Sequence, residues 1–410
     1  MLNFERNIEK YAELAVKVGV NIQKGQVLHI SAEVSSAHFV RQIAKKAYEA
    51  GAKSVEVDFH DDYLVRLKYE QAADEVFQEF PAWKVQAREE LVENGGAVLS
   101  VISSSPDLLK GVDGNRIAAF QRVSGKAMKK FREAIQSDKI SWSIVAVPSK
   151  DWAAKVFPDV PKDQQQEKLW EAIFKSVRVD QEDPVKAWQE HNDTLHTKVD
   201  ILNEKKYAKL HYKAPGTDLT IELPEKHIWV GAGSVNEAGH SFMANMPTEE
   251  VFTVPKKDGV NGQVTSTKPL SYAGNLIENF TLTFENGKIV NVTAKEGEET
   301  LKQLIETDEG AKYLGEIALV PHGSPISQSD IIFYNTLFDE NASNHLAIGS
   351  AYAFCLEGGK TMSKEELAAN GANDSITHVD FMIGSAEMDI DGIKADGTAE
   401  PVFRKGNWAF

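Results

Sequence analysis

Hydrophobic positions early in the chain recur at helical spacing. Phe4, Ile8, Tyr11, Ala15 and Val18 predict an amphipathic first helix that Gly19 ends. Val27-Leu28-His29-Ile30 reads as a buried strand, residues 37–50 as a helix stopped by Gly51, and residues 54–59 as the next strand. This β-α-β unit is continued by a strand over 97–102, a helix over 118–135 and a strand over 141–147. Beyond about Tyr207 the pattern changes to closely spaced strands at 219–223, 281–284 and 289–294, with Glu285-Asn286-Gly287 as a hairpin turn. A polar helical stretch over 163–205 carries the connection. The expected fold is α/β: an N-terminal open α/β sheet domain over 1–206, then a β-rich α+β metal-binding catalytic domain over 207–410. Two domains also suit the length, because 410 residues exceed the size at which a single core usually stops growing.

Composition narrows the chemistry. The formal net charge is −16, the wrong sign for a nucleic-acid partner, which requires a basic surface that displaces counterions. A single cysteine, Cys355, leaves no intramolecular disulfide framework and no cysteine-rich zinc site, so any metal must be held by oxygen and nitrogen. The first ten residues are charged from Glu5 onward and lack the apolar stretch of a secretory signal, and no run of 18 apolar residues occurs. A cytoplasmic protein without a membrane partner is the expectation.

Four segments put acids and histidines where apolar strands or tight loops are expected. In Asn245-Met246-Pro247-Thr248-Glu249-Glu250-Val251-Phe252-Thr253 two acids precede a short β-branched run; on a strand they face opposite sides, so only one enters a shared interior site. Taken alone, the pair reads as a solvated strand start. Glu316 begins the apolar run Ile317-Ala318-Leu319-Val320, where a buried carboxylate needs a partner or a metal. Phe338 to Tyr352 packs Glu340, His345 and Tyr352 into an apolar stretch; read as a helix after Asn341, it places His345 and Tyr352 seven apart on one face. His378-Val379-Asp380 read as a strand aims imidazole and carboxylate at one point with Val379 turned away.

Together Glu250, Glu316, Glu340 and Asp380 supply four negative charges, matching two divalent cations, and His345 and His378 complete a mixed shell. Without metals four buried acids would repel one another. Two-metal hydrolytic sites use such shells to make a hydroxide and to stabilise a developing oxyanion. On these residues alone a two-metal phosphoesterase-like hydrolase of another ester or amide, or a non-catalytic metal-binding protein, remains open. Three other motifs read as ordinary turns. Gly231-Ala232-Gly233 lacks the third glycine of a dinucleotide fingerprint, His60-Asp61-Asp62 fits a helix cap, and Ser103-Ser104-Ser105-Pro106 fits a strand-end turn.

The four segments, in this order and in a chain of this length, resemble the thermophilic-aminopeptidase family of metallopeptidases. The resemblance implies a cytoplasmic, homodimeric, metal-dependent aminopeptidase that hydrolyses the N-terminal peptide bond of short peptides through a water activated by two divalent ions (Zn, Co or Mn). It implies ligation by Glu250, Glu316, Glu340, His345, His378 and Asp380, with Glu316 bridging, and an active-site role for Tyr352. Glu249 is the candidate for general base or for holding the substrate's free amine. Asn344 departs from the family pattern, in which a cysteine often precedes the histidine, but it is not a ligand position.

Overall fold

The computed structural model describes residues 2–272 and 275–410. The chain divides into two compact units, Met1–His191 with Gly233–Pro247, and Asn192–Ala232 with Thr248–Phe410.

The first unit is built on a four-stranded parallel sheet in the order Ser54–His60, Val27–Glu33, Ala97–Ile102, Trp142–Ala146. Parallel neighbours need crossover connections, and the helix Ala37–Glu49 supplies the first of them. The first helix, Leu2–Leu14, continues as a wider turn over Ala15–Gly19 and buries Ile8, Tyr11, Ala12 and Ala15. Two expectations are refined. The helix over 118–135 is two helices, Gly114–Ala127 and Lys129–Gln136, and the stretch over 163–205 is also two, Lys162–Ser176 and Pro184–Lys205. Pro184 begins the second of these, where a missing N–H costs nothing. The helices Asp62–Gln71 and Ala82–Glu93 have weak amphipathic patterns and escaped the periodicity argument. Asp61 caps the first of them, accepting from the Leu64 N–H at 3.1 Å, which accounts for the His60-Asp61-Asp62 motif.

The second unit contains an eight-stranded sheet and a five-stranded sheet, both antiparallel. The expected hairpin joins Thr281–Glu285 to Lys288–Thr293 in the larger sheet, with φ of 48° at Asn286 and 81° at Gly287. Positive φ at both central residues is what an Asn-Gly turn provides. The five-stranded sheet runs His378–Met382, His345–Gly349, Leu314–Leu319, Val251–Thr253, Val230–Gly231. This antiparallel setting around Gly231 is not that of a dinucleotide loop.

Alternation gives the five-stranded sheet two unlike faces. Ile317, Leu319, Leu346, Ile348, Val379 and Phe381 join the hydrophobic core. The intervening residues Glu316, Ala318, His345, Ala347, His378 and Asp380 therefore share the opposite face. A register shift between Leu314 and Glu316 lets residues two apart serve different faces, so Leu314 packs in the core while Glu316 turns away from it.

The helical reading of the segment after Asn341 is corrected. His345–Gly349 is a strand paired on both sides, and Tyr352 lies beyond it, so His345 and Tyr352 share no helix face. A five-residue apolar run cannot be assigned by periodicity alone, and here its two strand neighbours decide.

Candidate metal centre

Paired residues on neighbouring strands face the same side, so register alone assembles the site. Glu316 pairs with Ala347 and Ala347 with Asp380; Ala318 pairs with His345, and Gly349 with His378. The polar side chains thus rise around a floor of two alanines, Ala318 and Ala347, both fully buried.

Glu250 reaches the same face from the residue before the strand Val251–Thr253. The reading of Glu249-Glu250 as a solvated strand start is overturned, since the two are only 3% and 9% exposed. The strand begins at Val251, directly after the two acids as expected, and fully buried Asn341 accepts the Glu249 N–H at 2.7 Å, tying the segment down. Glu340 comes from the short turn Glu340–Ala342, which follows a helix capped by Asn335.

Ligand-capable atoms of Glu250, Glu316 and His345 lie within 4.8 Å of one another, and those of Glu316, His378 and Asp380 do the same. Glu316 is common to both groups. His345 Nε2 is 3.2 Å from Glu250 and 3.6 Å from Glu316; His378 Nε2 is 3.5 Å from Glu316 and 3.4 Å from Asp380. Glu340 belongs to neither group, but the charges of Glu250, Asp380 and Glu316 act on it. Each imidazole is oriented through Nδ1 by a backbone carbonyl, His345 by Ser343 at 3.2 Å and His378 by Ser350 at 2.7 Å, leaving Nε2 for the site. Such support fixes the ring's tautomer and direction. The Tyr352 ring lies 4.7 Å from that of His378 and stacks on Phe354 at 5.2 Å.

Burial and crowding shift the titration of several groups here. Loss of solvent pushes Glu316 up to about 7, helped by the charges of Asp380 and Glu250. The same two causes, burial and then the charge of Glu250, raise Glu340 well above the carboxylate range. Burial alone would lower both histidines, but the adjacent carboxylates reverse this, taking His378 to about 9 and His345 well above its usual value. Burial opposes ionisation of Asp380, yet the neighbouring imidazoles hold its carboxyl below its usual value. The Tyr352 hydroxyl is pushed up by burial and by Glu316 and Asp380, so it stays neutral and able to donate.

The residues present fit divalent ions. Among the described residues no lysine or arginine forms an ion pair with Glu250, Glu316, Glu340 or Asp380. Asp380 Oδ1 is buried without a hydrogen bond, although His378 lies close by. Carboxylates gathered with only two imidazoles to offset them favour a bound cation, and an oxygen and nitrogen set suits divalent transition ions.

The comparisons with known proteins agree. The thermophilic metalloprotease family (M29) matches residues 4–408. The chain belongs to this family. It is 63% identical over 410 residues to aminopeptidase AmpS of Bacillus subtilis (strain 168), covering all of both chains, and 53% identical over 410 residues to aminopeptidase 2 of Geobacillus stearothermophilus, covering 100% of this chain and 99% of the other. The fold of this metalloprotease matches that of wild-type AmpT from Thermus thermophilus with a TM-score of 0.94 at 42% identity, covering 99% of this chain and 100% of that one.

Sequence reasoning did not single out Asn341, or the Ser343 and Ser350 carbonyls that orient the histidines. The carbonyls are backbone groups and leave no mark in a sequence; an asparagine following Glu340 inside an apolar stretch was the one available signal for Asn341.

Proposed function

We infer that the site on the five-stranded sheet performs the hydrolysis with two divalent ions, held by Glu250, Glu316 and His345 on one side and by Glu316, His378 and Asp380 on the other, with Glu340 completing the shell. The protein is a metal-dependent aminopeptidase, as its family and its named relatives indicate. The observation that carries the two-ion reading is the pair of ligand groups sharing Glu316. When bound, the ions supply Lewis acidity, which polarises a scissile carbonyl and brings the ionisation of water toward neutral pH.

The chain's own residues do the rest. Neutral Tyr352, beside His378, donates a hydrogen bond to the oxyanion that forms as the carbonyl is attacked. Buried Glu249, next to Glu250, is assigned to the substrate's α-amino group or to proton transfer. Zn, Co or Mn serve as the ions, because oxygen and nitrogen shells discriminate weakly among them. The substrates are short peptides, and the working form is a cytoplasmic homodimer; these last points rest on the family resemblance. A phosphoester substrate would call for cationic side chains, and the absence of lysine or arginine ion pairs with the four acids, among the described residues, speaks against it.

The test separates the two faces of one strand. Replacing His378 or Asp380 with Ala removes metal and activity together, whereas Val379→Ala, on the core side, costs packing alone. Equal metal loss in all three variants would refute the assignment.

A further inference from the structure

The three residues Gly349 to Ala351, from the last residue of the His345 strand onward, connect two parts of the site, because the Ser350 carbonyl orients His378 and Tyr352 comes next in the chain. Their position is set by a small clamp. Gly349 N–H donates to Tyr313 O at 2.8 Å, Ser350 N–H to Thr377 O at 2.8 Å and Ala351 N–H to Asn373 O at 2.9 Å. One side chain joins these backbone bonds. Asn373, 3% exposed, donates through Nδ2 to the carbonyls of Gly349 and Gly310, both at 2.7 Å. Its Oδ1 is buried without a partner, so the amide is kept for its two donor bonds although its oxygen is left unsatisfied. Two glycines make the close approach possible. A Cβ on Gly349, whose φ is 109°, would stand 2.2 Å from Thr377 O, and one on Gly315 would stand 2.2 Å from Ser350 O.

We propose that Asn373 is a positioning residue for the hydrolysis: by fixing the Gly349 carbonyl and the Ala351 N–H it sets the Ser350 carbonyl that aims His378 and the backbone that presents Tyr352. Asn373 touches neither the imidazole nor the phenol among its hydrogen bonds, so it acts through the Gly349–Ala351 backbone. This rests on His378 and Tyr352 working as assigned above.

The experiment compares Asn373→Ser with the parent, both loaded with Zn²⁺ and assayed on an aminoacyl amide. A displacement on the order of an ångström at catalytic groups costs up to about 100-fold in rate, so kcat should fall about 10- to 100-fold while KM changes little and bound metal stays near the parental amount. A purely structural role would lower the unfolding temperature and leave kcat of the folded protein unchanged. The second readout is the His378 Nδ1 proton in ¹⁵N-histidine-labelled protein, assigned by its loss in His378→Gln. It should be downfield and slow to exchange in the parent, and shifted or fast-exchanging in Asn373→Ser. Parental kcat in Asn373→Ser, or a fall in activity that tracks metal loss alone, overturns the proposal. So does an unprotected His378 Nδ1 proton in the parent, a measurement that stands even if the variant fails to fold. If His378→Gln keeps full metal and activity, the underlying site assignment fails, whereas an inactive His378→Gln beside a fully active Asn373→Ser removes the role of Asn373 alone.

Discussion

Metal binding should expel more than one proton from this site. In the metal-free protein His345 is raised well above its usual value, His378 titrates at about 9, Glu340 is raised well above the carboxylate range and Glu316 titrates at about 7. At pH 7.5 His378 holds its proton almost completely and Glu316 holds one about a quarter of the time, while the raised His345 and Glu340 add to that count. The groups would hold metal as neutral imidazole and carboxylate, so filling the site should release more than one proton. Protons and ions compete, so affinity falls as pH falls; with more than one proton displaced, the overall binding constant changes by at least roughly tenfold per pH unit near neutrality. Calorimetric titration of metal into chelated protein, in buffers of different ionisation enthalpy, counts the protons directly. Chelator competition at pH 6.5, 7.5 and 8.5 measures the slope. Release of fewer than one proton, or an affinity that is flat over this interval, would refute the electrostatic account of the cluster and with it the placement of two imidazoles against three carboxylates.

The same groups make the stability of the metal-free protein depend on pH. His378 is raised from 6.5 to about 9, so its contribution is complete below about 6.5 and is lost as pH rises through 9; Glu316, raised from 4.5 to about 7, adds a loss between those values. The unfolding temperature of chelated protein should therefore fall between pH 5 and 9 while the gain on adding metal grows, and a constant gap would contradict this. Tyr352→Phe keeps the ring on Phe354 and His378 and deletes the donor, so kcat should drop by roughly 10² to 10³ with KM and bound metal near parental; loss of metal would make the tyrosine a support instead. Ala347→Leu places a large side chain between Glu316 and Asp380 and should abolish metal binding at a cost of about 1–3 kcal/mol in stability, read by metal analysis and denaturant melts; normal metal content would show that the alanine floor is not where ions sit.

Parts of this architecture are legible in the chain because period and punctuation coincide. The first strands and helices are marked by glycines at 19 and 51, and Asn286-Gly287 announces its hairpin; each of these elements lies within about three residues of its expected limits. His378-Val379-Asp380 is legible for the same reason, because period two fixes which residues converge. His345 was harder. Its strand has no alternation, since all five residues from His345 to Gly349 are buried, and a run that is apolar on both faces carries no period to read. Glu249 and Glu250 misled for a different reason, because their burial is imposed by Asn341, 92 residues away from Glu249 in the sequence. Tertiary partners of that kind override a residue's ordinary preference for water.

The placement of the proposed ligands on strands has a consequence for how the site tolerates its own charge. Carboxylates brought together on flexible loops would relax apart when metal is removed, and the energy of assembling them would be met at each binding event. Here Glu316, His345, His378 and Asp380 alternate with Ile317, Leu346, Val379 and Phe381, so the packing that seals the core side also holds the polar groups in place. Titration takes up the repulsion: Glu340 and Glu316 bind protons more readily, and both histidines hold theirs more tightly. Protons thus stand in for metal charge when no ion is bound, and the packing on the hydrophobic face of one sheet fixes where the polar groups point.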